Sequence, residues 1–134
     1  MIKEIYEHLV SDGETALGVS VKKGFPDFTR TDLPLSALPI AAVELAAGTP
    51  GRHNRIGSPQ AQQAALFRVY IFARHEPELC ELLESLANWT ANLGRVVVDS
   101  RQVAFQQQDW QRHQPVTNAQ QEMHAFWINV QATW

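Results

Sequence analysis

Residues 65–94, ALFRVYIFARHEPELCELLESLANWTANLG, change hydrophobic period once, and that change decides the fold. In the opening stretch Phe67, Val69 and Ile71 share one side while Arg68, Tyr70, Phe72 and Arg74 share the other, the period-two pattern of a strand with two unlike faces. From Glu76 the period becomes helical. Leu79, Leu82, Leu83, Leu86, Trp89 and Leu93 make an apolar stripe, and Glu78, Glu81 and Glu84 mark the wet side. Pro77 sits where a first-turn proline is tolerated, and Gly94 suits a helix end. A strand leading straight into an amphipathic helix predicts a sheet with helices packed on it.

Towards the start of the chain, Ile2, Ile5, Tyr6 and Leu9 follow the i, i+3, i+4, i+7 spacing of a short helix, which SDGET (11–15) is expected to break. Leu17, Val19 and Val21 then alternate as a strand that Gly24 ends. FPDFTRTDLPLSALP (25–39) holds three prolines and reads as an irregular connection, and apolar density returns from Ile40 to Leu45 as a second strand. Towards the end, RVVVD (95–99), QVAFQQQDWQR (102–112) and MHAFWINVQATW (123–134) read as strands, the last two joined through a turn in HQPVTNAQQ (113–121). The order is helix, three strands, helix, three strands. Short links in the second half favour antiparallel pairing, so the expected class is α+β: a mainly antiparallel sheet of about five to six strands with two helices on one face. One domain spanning 1–134 accommodates it all.

A net charge of -3 over 134 residues argues against a dedicated nucleic-acid binder. The single cysteine, Cys80, cannot form an intrachain disulfide, which suits a reducing compartment. No apolar run has the length of a signal or a membrane span, so neither export nor membrane insertion is expected.

Catalytic signatures are missing from the pattern. His8, His53, His75, His113 and His124 are scattered without zinc-type spacing, and Cys80, between Leu79 and Leu82, reads as a small buried residue. GTPGRHNRIG (48–57) lacks the Gly-Lys-Ser/Thr ending and the following helix of a phosphate loop. Asp27, Asp32 and Glu44 are too irregularly spaced for an acid/base pair. No catalytic residue, metal ligand or cofactor is expected.

Two features do point outward. AAGTPGRHNRIGSPQAQQAA (46–65) reads as a long mobile loop at about 48–63, with Arg52, His53, Asn54 and Arg55 as candidate partner contacts. Phe126 and Trp127, adjacent on the last strand, must face opposite sides of the sheet. The second side is then covered either by arms of the chain or by a partner subunit.

The opening helix, the strand ending in KKGFPD, LPIAAVEL, the long polar loop, FRVYIFAR, the Leu-rich helix with its NW pair and the closing HAFWINV together resemble the tail terminator proteins of long-tailed bacteriophages and prophages. The resemblance spans almost the whole chain. It implies a non-enzymatic subunit that forms a ring, typically a hexamer, on the last ring of the tail tube, stops tube polymerisation and presents a surface to the head-tail connector protein. Its implied partners are itself, the tail tube protein and the connector, with no cofactor, nucleic acid or membrane required. Its implied location is the host cytoplasm during assembly and then the virion tail. Rival readings are another ring or plug protein of the phage neck, or a small hydrolase or nuclease using His53 with Arg52 and Arg55. The enzyme reading needs a rigidly held acid or base, and the sequence nominates none.

Overall fold

The computed structural model describes residues 1–28, 37–53, 61–118 and 121–134. Its elements run α1 (Ile2–Leu17), β1 (Val21–Lys23), β2 (Ile40–His53), β3 (Ala61–Ala73), α2 (Glu76–Ala91), β4 (Arg95–Val98), β5 (Arg101–Asn118) and β6 (Gln121–Thr133). The class is the expected α+β, with a curled, mostly antiparallel six-stranded sheet.

α1 runs through the expected break. The SDGET stretch continues the helix to Leu17, and Gly18 closes it at φ 68°, its N–H donating to the Glu14 carbonyl. The strand expected from Leu17 up to Gly24 is correspondingly reduced to Val21–Lys23. Gly13 explains the correction: it lies buried against α2, where an added Cβ would stand 3.0 Å from the Trp89 ring. Trp89 Nε1 donates to Asp12 Oδ2 at 2.7 Å beside it. The glycine costs α1 about 1 kcal/mol of helix propensity and in exchange lets the two helices approach. Gly13→Val is therefore expected to lower stability by about 1–3 kcal/mol through overpacking. Urea unfolding measures this, and an unshifted midpoint would mean that the helices have room to spare.

The sheet order is β1-β2-β3-β6-β5-β4, and the central β3–β6 pair is antiparallel. Each half of the chain supplies one helix and three strands, and the two halves meet at that central pair. They differ at the edges. β1 pairs parallel to β2, whereas β4 pairs antiparallel to β5. A parallel neighbour cannot be reached by a tight hairpin and needs a crossover of about a dozen residues or more; residues 24–39 provide it. The β4–β5 link is a two-residue turn in which Asp99 and Ser100 both take positive φ, 48° and 63°.

The helices cover one face of the sheet. Ile5 and Leu9 of α1 and Leu79, Leu82 and Leu86 of α2 pack on Val43, Phe67, Val69, Ile71, Val103, Ile128 and Val130. Tyr6 adds a hydroxyl that donates to the Val43 carbonyl. His75 caps the start of α2, its Nδ1 accepting from the Glu78 N–H at 3.2 Å. It ends at Ala91, with Asn92 as its cap and Gly94 turning the chain at φ 58°. The opposite face buries Ile40, Ala42, Tyr70, Phe72, Met123 and Ala125 beneath Phe28 and Leu38 of the crossover. Of the two covers expected for this face, an arm of the chain itself supplies that part. Phe126 and Trp127 do face opposite sides, the first packing against the helix-side core and the second against the crossover side. Among the described residues, no helix is long and apolar enough to cross a membrane.

Candidate functional site

Among the described residues, Phe28 and Leu38 of the crossover cover one end of the second sheet face. At the other end, register aligns Glu44 of β2 with Arg68 of β3, and Arg68 with Asn129 of β6. Arg68 Nε donates to Asn129 Oδ1 at 3.0 Å, and Asn129 Nδ2 donates to Asp109 Oδ1 at 3.2 Å. Asp109 reaches that position because β5 shifts register between Gln107 and Trp110, which turns the extra residues of a bulge onto this face. Asn129 is only 4% exposed, and both ends of its carboxamide are engaged, so it fixes the row rather than leaving a buried polar group unsatisfied. The Arg68 guanidinium also lies 4.1 Å from the centre of the Trp127 ring. Burial pushes the Tyr70 hydroxyl above its ordinary pKa, with Arg68 acting to lower it and the Glu44 carboxylate to raise it.

Beside this row lies a groove of about 290 Å³ lined by Ala47, Gly48, Ala64, Leu66, Gln108, Asp109 and Gln131. Gln108 Nε2 donates to Gln131 Oε1 at 3.1 Å along its rim. The charged members are carboxylates and a guanidinium. Such a surface offers hydrogen bonds, a cation held over an indole and apolar floor area, the means of recognising a partner.

Both long hairpins continue past the central strand pair, at opposite ends of the sheet. β3 and β6 pair from Ala64↔Thr133 to Ala73↔His124. Beyond Thr133, β2 and β3 stay paired out to His53↔Ala61; beyond Ala73, β5 and β6 stay paired out to Asn118↔Gln121. This corrects two boundaries. The loop expected at about 48–63 is strand through His53 and again from Ala61, because register shifts at Leu45/Ala47 and Thr49/Arg52 absorb the Gly and Pro residues that read as breakers. The turn expected over 113–121 is likewise mostly strand. Of the candidate contact residues, Arg52 and His53 stand at the end of β2 opposite Gln62 and Ala61. Asn54 and Arg55 lie outside the described residues, as does Asp32.

The helix side carries its own polar cluster. Arg112 of β5 grips Glu76 at the start of α2 through two bonds of 2.7 Å, and its Nη2 lies 2.8 Å from His124 Nδ1. The guanidinium holds the Glu76 carboxyl below the usual carboxylate range. Arg74 does the same for Glu78. Cys80 is exposed rather than buried: one residue past Leu79, it is turned about 100° around the helix from the apolar stripe. Among the described residues, no group of three or more His, Cys, Asp or Glu side chains is placed to hold a metal ion. The sequence pattern pointed to the hairpin arginines and to Trp127, and missed Asp109 and Asn129 and the role of Arg68. The alternation of β3 did place Arg68 on the second face, but only the bulge brings Asp109 to it.

No family model and no curated protein matches the chain. Among the solved structures that are similar, one matches over 97% of this chain and 91% of its own, at 11% identity and a TM-score of 0.52. That likeness is one of fold.

Proposed function

We propose that this chain is a tail terminator, a structural subunit that closes into a ring on the end of a phage tail tube, halts tube growth and offers its outer side to the head connector. The observation that carries the reading is the pair of hairpins running past the sheet at opposite ends, beside a sheet face that, among the described residues, is covered at one end. A ring subunit needs two different surfaces that meet in head-to-tail fashion, and extensions at opposite ends provide such a pair. The resemblance of the whole layout to tail terminators supplies the tube as partner, and the hexamer as ring size. The polar row of Glu44, Arg68, Asn129 and Asp109 suits partner recognition in the same way.

Tube growth in vitro is the test. Added to polymerising tail tube protein, the purified chain is expected to cap the ends and shorten tubes in proportion to its concentration, as seen by electron microscopy. Tubes of unchanged length at stoichiometric excess would refute the proposal.

A further inference from the structure

We infer that copies of this chain join edge to edge into one continuous sheet, β4 of one copy lying parallel to the open outer side of β2 in the next, with Val97 and Leu45 at the junction. The inference deepens the ring reading above and rests on it for the outcome of assembly.

β1 and β4 are the outermost strands, at opposite edges of the sheet. β1 pairs with β2 only over residues 41–43, and the Gly24 N–H donates the last bond of that ladder to the Val43 carbonyl at 2.8 Å. Ala41 and Val43 thus turn their backbone groups outward to β1, and by the alternation of a strand Leu45 turns its own the same way. Among the described residues, no strand lies outside β2 at Leu45. At the opposite edge, the Phe105 N–H donates to the Gly94 carbonyl at 2.7 Å. In the β4–β5 ladder Val96 and Val98 therefore face β5, while Arg95 and Val97 turn their backbone groups outward. Among the described residues, β4 has no neighbour on that outer side.

Both open edges are apolar. Leu45, Ala46, Ala47 and Gly48 are all exposed, Leu45 by 43%, and Val97 is 74% accessible among three consecutive valines. Open edges are normally blunted by charged side chains or proline, and an apolar edge without them takes another strand; residues 45–49 carry neither, nor do 96–98. A second copy of this chain supplies that strand. β2 and β4 run in the same direction, because each is two antiparallel steps from β6. Copies related by a rotation therefore bring β4 to β2 as a parallel neighbour, with the helices on the same side of both. Leu45, two residues past Val43, then shares the helix side with Val96, and Val97 shares the other side with Ala47 and its groove. The two edges are different surfaces, so the contact is heterologous: each copy that joins leaves one edge of each kind free, and the series ends only by closing.

Val97→Pro and Leu45→Pro test this. Each removes an N–H that points away from the sheet, the position at which a strand tolerates proline, so folding should survive, and thermal melts check it. In sedimentation the wild-type chain is expected to associate with rising concentration, and each proline variant to associate at least about tenfold more weakly, the worth of about one hydrogen bond. Val97→Thr, which keeps the N–H and the branched shape, should stay within about threefold of wild type. An equimolar mixture of the two proline variants should form dimers of one copy of each and nothing larger, because a single intact β2 edge meets a single intact β4 edge. A readout on the unaltered chain stands beside these and decides alone if a proline variant melts early: hydrogen exchange at the Val97 amide should slow as the protein concentrates. A wild-type chain that stays monomeric throughout, a proline variant that associates as wild type does, a mixture that stays monomeric or grows past dimers, or exchange at Val97 indifferent to concentration would each overturn the inference. Edge-dependent association in a chain that never caps tubes would keep this contact and remove the terminator reading. Tube capping undiminished by both proline variants would do the opposite.

Discussion

Phe67→Ala is expected to lower the unfolding free energy by about 3–5 kcal/mol, the usual cost of emptying a buried aromatic site. Phe67 is fully buried at the centre of the sheet, with Leu45 of β2 and Val130 of β6 as its register neighbours. The Tyr6 ring of α1 lies 6.0 Å above it. Strands hydrogen-bonded on both sides cannot close in on the vacated space, and Tyr6 is tethered by its hydroxyl to Val43, so the cavity persists and the cost falls at the upper end of the range. Equilibrium urea unfolding measures it. A loss below about 1 kcal/mol would place the side chain outside the core that joins α1 to the sheet.

The position of Phe67 was legible from alternation alone, and so was the helix that follows it. Both elements are long enough for a period to repeat several times, and burial then amplifies the pattern. Where the sequence misled, a local signal was overridden by packing. Gly13 reads as a helix breaker because glycine is costly in isolation, yet its missing side chain is what admits Trp89. Pro50 and Gly51 read as a loop, yet a register shift between Thr49 and Arg52 lets the hairpin pass over them. Nothing local distinguishes a glycine that ends an element from one that fits a close approach. Pairing between distant strands decides that, and a single sequence does not display it.

The candidate surface was less legible than the fold for the same reason. Arg68 and Asn129 are far apart in sequence and become neighbours only through the β3–β6 register, and Asp109 joins them only because β5 is bulged. The edge asymmetry was equally hidden. Parallel pairing of β1 obliges the chain to cross over, and that same crossover lays Phe28 and Leu38 on the second face. One topological choice thus supplies the cover of that part of the sheet.

The largest functional effect is expected from Arg52→Glu combined with Arg55→Glu. Under the terminator proposal, the β2–β3 hairpin reaches beyond the central strands and its root is fixed, because Gln63 and Trp134 exchange backbone hydrogen bonds of 2.9 and 3.0 Å where β6 ends. A hairpin held at its root transmits force and position to whatever its far end touches, so charge there acts on a partner more than on the fold. Single charged groups outside a core contribute little to stability, and melts are expected to be unchanged. An acidic surface on the tube or on the adjacent subunit would now be repelled, and tails should grow overlong. His53→Ala, by contrast, reverses no charge and should leave tail length near normal, whereas a hydrolase or nuclease using His53 would lose its activity outright. Tail lengths measured by electron microscopy in a phage or prophage carrying each variant separate these cases. Normal tails from the double reversal would remove the arginines from the interface, and loss of function from His53→Ala alone would favour the catalytic reading.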